Sequence, residues 1–325
     1  MNMSTITLFN AVNAAIAEEM RRDGRVLMFG EGVAVKHRNL QMEFGIHRVR
    51  NTPLADAIIA GTAVGAAASG LRPVIDLLYA PFLTLSMDAL INHAGKLRYM
   101  SGGQFEFPLV VLAATGGGRS SGAHHNHNLE AMLVHAPGVK VVMPSTPTDA
   151  KALLKASIRD NNPVVFFTDM SLCASQPEAG TEEYLIPLGK ASVIRKGNDL
   201  TIVSYGKTVG HCLQAAEQLA HNGFAAEVID LRTLKPLDES TILRSVHKTG
   251  RLMIVHEANR LCGIGAEVAA IVSEKGFDAL AAPIVRLTGP DAPAAASWVL
   301  EQAAIPQASA IRDAALRLVE QAAAA

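Results

Sequence analysis

An α/β fold is predicted, built on a mostly parallel sheet with helices on both faces and divided into two successive units. Three observations predict it. Short apolar runs alternate with amphipathic stretches along nearly the whole sequence, the signature of strand–helix repetition. A polar, turn-rich stretch at about 171–198, containing "CASQPEAGTEEYLIP" and "RKGND", interrupts that rhythm once. The length of 325 residues suits roughly two domains of about 150 each.

The elements follow in order. Leu8, Val12, Ala15, Ile16 and Met20 fall at helical spacing, and Asp23-Gly24 ends that helix. "RVLMFGE" (25–31) is a short buried strand. Ala57–Gly70 is a helix, "PVIDLLY" (73–79) a strand, and Leu83–Met100 a helix with Met87, Leu90, Ile91 and Ala94 on one side. "PLVVLAA" (108–114) and "VKVVMP" (139–144) are strands. The helix 146–160 takes Ser145 or Thr146 as its N-cap and leads to the strand "PVVFFTD" (163–169). The second unit repeats the pattern. Strands are expected at 200–206, 225–230, 251–257 and 282–289, and helices at 209–221, 238–249 and 265–276. The Ala-rich end is read as a helix with a frayed terminus.

Composition narrows the function classes. Hydrophobic residues make up 49% of the chain and aromatics only 5%, so the core rests on Ala, Val, Leu and Ile. So much apolar surface is best hidden when subunits meet. The net charge is −1, with both signs dispersed; no basic block for nucleic acid and no polybasic membrane patch is present. Cys173, Cys212 and Cys262 lie far apart without a C-x-x-C pair, which suits a reducing compartment. The polar start and the short, Gly-rich run Ala57–Leu71 argue against a signal peptide or a membrane span. A soluble, cytoplasmic protein is expected.

Four stretches carry candidate chemistry. Asp56 opens a helix made almost wholly of Ala and Gly. It is either a first-turn carboxylate favoured by the helix dipole or an acid brought close to a ligand or partner. "TGGGRSSGAHHNHN" (115–128) follows a strand with a glycine-rich loop and three histidines, His124, His125 and His127. No Walker lysine and no H-E-x-x-H spacing is present, so a catalytic or substrate-binding histidine competes with a solvated turn and, more weakly, a metal. "HEANRLCGIGAEVAA" (256–270) holds a lone G-x-G, read either as tight strand–helix packing or as half a dinucleotide fingerprint. In "IRDNNPVVFF" (158–167), Asp160 and Asn162 mark a helix end that is either an ordinary turn or a carbonyl cluster for a monovalent cation.

Together these stretches resemble the β subunit of the thiamine-diphosphate-dependent first component of 2-oxo acid dehydrogenase complexes, the pyruvate, branched-chain and acetoin dehydrogenase family. The resemblance rests on "GEGV" (30–33), "NTPLAD" (51–56), "GLRPV" (70–74), "INHAGKLRYMSGGQF" (91–105) and the run 122–166. It continues through "DLRTLKPLD" (230–238), "SVHKTGR" (245–251) and "GIGAEVAA" (263–270). It implies a transketolase-like pyrimidine-binding domain at 1–186 and a transketolase C-terminal domain at 187–325. It also implies an α subunit that holds the diphosphate and Mg²⁺ in an α2β2 assembly, and a lipoyl-bearing acyltransferase as acceptor. The isolated chain would form a homodimer or homotetramer. The substrate would be a 2-oxo acid or acetoin.

The resemblance also assigns roles. Asp56 stands where the family has a glutamate against the cofactor's aminopyrimidine, favouring its imino tautomer and so the ylid that attacks the substrate. Glu31, in "GEGV", joins the cofactor-binding set. Phe82 falls where an aromatic covers the pyrimidine, and His125 matches an active-site histidine that orients substrate and acyl transfer. Leu109, Ser157, Ile158, Asp160 and Asn162 match a potassium site built mostly from backbone oxygens. The sequence departs from the family in four places. Asp56 is one methylene shorter than glutamate, about 1.5 Å of reach. Pro81 replaces an aspartate, and a stretch after "GEGV" is missing. His124, Asn126, His127 and Asn128 replace smaller or amide residues. These departures motivate two other readings: a thiamine-dependent lyase or ligase using the same half-site, and a catalytically weakened scaffold subunit. A free-standing dinucleotide oxidoreductase would rest on 263–268 alone.

Overall fold

Strand Val110–Thr115 is buried along its full length, as a strand covered on both faces must be. It lies near the middle of the first unit's sheet in a computed structural model that describes residues 5–169, 171–172, 176–177 and 184–321. Cys173 and much of the turn-rich stretch, like the last four alanines, lie outside the described residues.

The chain divides into two compact units: Met1–Thr115 with Met132–Leu188, and Gly116–Ala131 with Gly189–Ala325. Where the sequence divides the chain once, near residue 187, the structure groups the histidine loop with the second unit. The loop's backbone is held by second-unit side chains, as described below.

In the first unit the strand order is Lys140–Val142, Val164–Asp169, Val110–Thr115, Arg72–Tyr79, Val26–Gly30, Val49–Asn51, all parallel. Val111 pairs with Ile75 on one side and Val165 on the other. One face is covered by helices Leu8–Arg22 and Pro147–Arg159, which share the core cluster of Val12, Ile16, Leu153 and Phe166. Their polar rims are joined by ion pairs. Glu18 meets Lys151 at 2.7 Å and Lys155 at 2.8 Å, and buried Glu19 meets Arg159 at 2.7 Å. Thr146 is the N-cap of the second of these helices: its Oγ1 accepts from the Asp149 N–H at 3.1 Å, with Pro147 in the first helical position. Thr146→Ala is expected to cost about 1 kcal/mol, read as a lower urea midpoint with an unchanged slope.

The single helix expected at 83–100 is three pieces: a 3₁₀ segment Ala80–Ser86, a π-helical turn Asp88–Ala94 and an α-helix Gly95–Met100. A contact from far along the chain falls at the junction of the last two pieces. A Cβ on Gly138 would stand 1.8 Å from the Gly95 carbonyl oxygen, and one on Gly95 would stand 2.9 Å from that of Pro137. Two backbones therefore touch there, at the first residue of the α-helical piece. The short helices Val33–Lys36 and Arg38–Phe44, four and seven residues long, are too short to show a helical period in the sequence.

The second unit's sheet runs Val285–Gly289, Leu252–Asn259, Leu200–Ser204, Ala226–Asp230, Ser192–Arg195. The first four strands are parallel and the last is an antiparallel edge. Helices Thr208–His221 and Ala308–Gln321 pack on it, and Leu219, Ile311 and Leu318 from these helices join Ile202, Val228 and Met253 from the strands in one core cluster. Helix Glu239–Thr249 is capped by Asp238, which accepts from the Thr241 N–H at 3.2 Å. Among the described residues no helix is long and apolar enough to cross a membrane, and the described cysteines, Cys212 and Cys262, are free.

Candidate active site

The first unit gathers Glu31, Asp56 and Phe82 at or just beyond strand and helix ends. Glu31 follows strand Val26–Gly30, whose last residue touches the next strand: a Cβ on Gly30 would lie 2.5 Å from the Asp76 carbonyl oxygen. Asp56 is the first residue of helix Asp56–Ala68; Ala55 at the N-cap supplies no side-chain acceptor. The Ser86 hydroxyl donates to the Asp56 carbonyl oxygen at 3.0 Å, fixing the residue from behind. Only 8% of Asp56 is exposed. Burial pushes its carboxyl above the usual carboxylate range; its own backbone N–H opposes this and the Glu31 carboxylate adds to it. No other side chain among the described residues donates to that carboxylate. A buried acid whose only internal donor is its own N–H fits an external one. Phe82, half-buried in the 3₁₀ segment, meets Tyr79 edge-to-face at 6.0 Å and 81°.

Asp76, beside this group, was not singled out from the sequence. It is buried, its carboxylate paired with Lys36 and 3.1 Å from His37 Nε2, while His37 Nδ1 lies 2.6 Å from Asn13 Oδ1. Burial works to raise the Asp76 carboxyl, but His37 and Lys36 outweigh it and hold it at about 2. Four polar residues spread over the sequence give no local motif, so only the fold exposes this cluster.

Leu109, Ser157, Ile158, Asp160 and Asn162 are brought to one turn. The Leu109 carbonyl accepts from Val164 at 2.8 Å, and those of Ile158 and Asp160 both accept from Arg72 Nη1, at 2.9 and 3.1 Å. The Asn162 side chain accepts from Arg98 at 2.8 Å, and the Asp160 carboxylate pairs with Lys140. Cationic side chains therefore already face this carbonyl set, and each carbonyl keeps a second lone pair.

His125 belongs to the second unit, on the one-turn helix Ala123–Asn126. Its N–H and that of Asn126 both point to the Gly122 carbonyl, at 3.3 and 3.2 Å. Among the described residues no group of three or more His, Cys, Asp or Glu side chains is arranged to hold a metal ion. The loop is held from its own unit. Glu257 accepts from the Gly117 N–H and pairs with Lys207 at 2.8 Å, while Lys207 also donates to the Gly117 carbonyl. Buried Glu301 accepts from the Ser120 N–H at 2.9 Å and from Asn126 Nδ2 at 2.7 Å. Past the loop, the Tyr205 hydroxyl donates to Glu130 at 2.8 Å. None of these anchors was legible in the sequence, because they are contributed from distant positions.

The G-x-G of 263–265 has a packing role. A Cβ on Gly265 would lie 2.7 Å, and one on Gly263 2.9 Å, from the His256 ring. The Gly265 N–H, which a phosphate would need, points at His256 Nε2 at 3.3 Å. His256 is fully buried and stacks on Tyr205 at 5.6 Å. Burial pulls its imidazole down to about 4, opposed by the Ala258 backbone and assisted by Arg286. The unfolded chain, titrating near the ordinary 6.5, takes up this proton first. The stability gained from neutral His256 is complete above about pH 6.5 and is lost as the pH falls toward 4. The urea midpoint is expected to fall through that window in the parent and to fall less in His256→Asn.

Comparison with known proteins places this arrangement. Residues 4–175 match the transketolase pyrimidine binding domain, and residues 189–311 match the transketolase C-terminal domain. The β subunit of the pyruvate dehydrogenase E1 component of Porphyra purpurea is 45% identical over 98% of each chain. The β subunit of acetoin:2,6-dichlorophenolindophenol oxidoreductase of Bacillus subtilis is 42% identical over 97% of each. The 2-oxoisovalerate dehydrogenase β subunit of the same organism is 43% identical over 90% of this chain and 91% of that one. A solved structure described as a split-gene transketolase in an inactive β4 tetramer shares the fold, with a TM-score of 0.81 at 22% identity over 98% of this chain and 99% of that one. The chain thus belongs to the transketolase-like family of E1 β subunits found in thiamine-diphosphate-dependent 2-oxo acid and acetoin dehydrogenases.

Proposed function

We propose that the chain is the β subunit of an enzyme that decarboxylates a 2-oxo acid, such as pyruvate or a branched-chain 2-oxo acid, or cleaves acetoin, and delivers the acyl group to a lipoyl carrier. It works with an α subunit in an α2β2 assembly, and the α chain holds the diphosphate and Mg²⁺. The observation that carries this reading is Asp56, a buried carboxylate with a raised pKa and no side-chain donor among the described residues. Thiamine diphosphate, when bound, would supply the electron sink for the reaction. Asp56 would set its carboxyl against the pyrimidine, Glu31 adds through its charge to the upward shift of that carboxyl, Phe82 would cover the ring, and His125 would orient the substrate.

The α partner is supported by the other face of helix Asp56–Ala68. Ile58 is 70% exposed and Leu54 68%, and a Cβ on Gly61 or Gly65 would meet nothing. Beside them lies a cavity of about 620 Å³ lined by Phe29, Pro53, Ile58, Ile59, Ala66 and Leu71 among others. A helix that is apolar on all sides needs cover on all sides. Potassium is proposed at the remaining lone pairs of the Leu109, Ser157, Ile158, Asp160 and Asn162 carbonyls. Because Arg72 already shares two of these, exchanging K⁺ for Na⁺ is expected to lower the melting temperature by no more than about 2 °C.

The test is co-expression with the α chain and assay of acyl-lipoyl product from pyruvate, a branched-chain 2-oxo acid and acetoin. Acyl-lipoyl product from one of the three is expected. A carboligation or cleavage product with no acyl-lipoyl from any of them would instead support the lyase or ligase reading, which the shorter Asp56 favours. No product of either kind would leave the scaffold reading.

A further inference from the structure

The His125 loop carries its own internal template. Between Gly116 and Asn126 the chain has glycine at 116, 117, 118 and 122, so its covalent structure does little to fix its path. Its polar backbone is instead matched to buried side chains of the second unit. Glu301 stands on helix Trp298–Ala304, is 2% exposed, and spans the loop: one carboxylate oxygen takes the Ser120 N–H and the other takes Asn126 Nδ2. These two points flank His125, one five residues before it and the other next to it. Glu257 and Lys207 fix the loop's entry at Gly117. There a Cβ would stand 3.0 Å from Glu301 Oε1 and 3.1 Å from Glu257 Oε1, so Gly117 passes between the two carboxylates.

We infer that Glu301 is a positioning residue for His125: its buried carboxylate clamps Ser120 and Asn126 and so sets where the imidazole stands. This inference rests on the proposed role of His125. The clamp is charge-assisted at both ends, and its two acceptor oxygens match two donors that are otherwise left without a partner. Alanine at 301 removes both acceptors. Glutamine keeps one for Ser120, and its amide can donate to Asn126 Oδ1, which is buried and has no partner in the present arrangement.

Two measurements on the full chain test the inference. In hydrogen exchange, Glu301→Ala is expected to speed exchange at Ser120, His125 and Asn126 by about tenfold or more, with the central strand Leu200–Ser204 unchanged. Glu301→Gln should stay close to the parent. In the α2β2 holoenzyme with lipoyl acceptor, Glu301→Ala is expected to lower kcat by roughly 10–100-fold, with KM within about threefold, and Glu301→Gln to recover most of that loss. Unchanged exchange in Glu301→Ala overturns the clamp. Faster exchange with parental kcat, while His125→Ala is impaired, overturns the positioning role. Parental kcat in His125→Ala refutes the role of His125 itself, and with it the positioning role, while the exchange result still decides whether Glu301 clamps the loop.

Discussion

Asp56→Ala is expected to lower kcat of the α-reconstituted enzyme by roughly 10²–10⁴-fold, the range of a lost general acid–base group. The structure gives three reasons to place that loss at Asp56. The carboxyl is buried, burial raises its pKa above the usual carboxylate range, and no side chain of the described residues satisfies it. Asp56→Asn keeps the size and a donor but cannot move a proton, so it is expected to lose nearly as much activity as Ala. Asp56→Glu restores about 1.5 Å of reach toward the ring. Since a misplacement of about 1 Å can cost on the order of a hundredfold, Asp56→Glu is expected to match or exceed the parent. Glu31→Gln removes a charge that helps to hold the Asp56 proton on, so the Asp56 titration, followed by NMR, should move to lower pH. The sign follows directly: with the neighbouring negative charge gone, ionising Asp56 becomes less costly.

Gly30→Ala is expected to be strongly destabilising to the first unit. Its φ of +157° is disfavoured for a residue with a Cβ, and the new methyl would meet the Asp76 carbonyl oxygen at 2.5 Å and Val33 Cγ2 at 2.9 Å. The first of these is backbone in a parallel ladder and has little room to yield. Overpacking of about 1–3 kcal/mol and backbone strain of about 1–3 kcal/mol add at the same atom. A loss of roughly 2–6 kcal/mol follows, read as a lowered urea midpoint or as unfolded protein on expression. Because Gly30 leads into Glu31, any soluble variant is also expected to lose activity. Gly24→Ala is the control: its Cβ would meet nothing, and its stability should stay near that of the parent.

Much of this molecule is legible in its sequence because parallel strands advertise themselves. Val110–Thr115 and Leu200–Ser204 are buried throughout, so their apolar runs are nearly unbroken, and Thr146 before Pro147 marks its helix start chemically. What is not legible depends on meetings between distant residues. The passage from Ala80 to Met100 changes its winding, and it carries the Gly95–Gly138 backbone contact, whose partners lie more than forty residues apart. Edge strand Ser192–Arg195 is partly exposed and lacks a clean apolar run. The same division holds at the site. Asp56, Glu31 and His125 lie in motifs that can be quoted. Glu301 lies 175 positions from the Asn126 it holds, in an Ala-rich stretch that carries no recognisable motif. The lone G-x-G shows the opposite case, a familiar pattern whose meaning here is room for the His256 ring.

The most direct measurement is the position of the Asp56 carboxylate in a crystal structure of the α2β2 complex loaded with thiamine diphosphate. The account predicts a carboxylate oxygen within about 2.6–3.2 Å of a pyrimidine ring nitrogen, or joined to it by one ordered water. A carboxylate beyond that reach, with no water between, would contradict it.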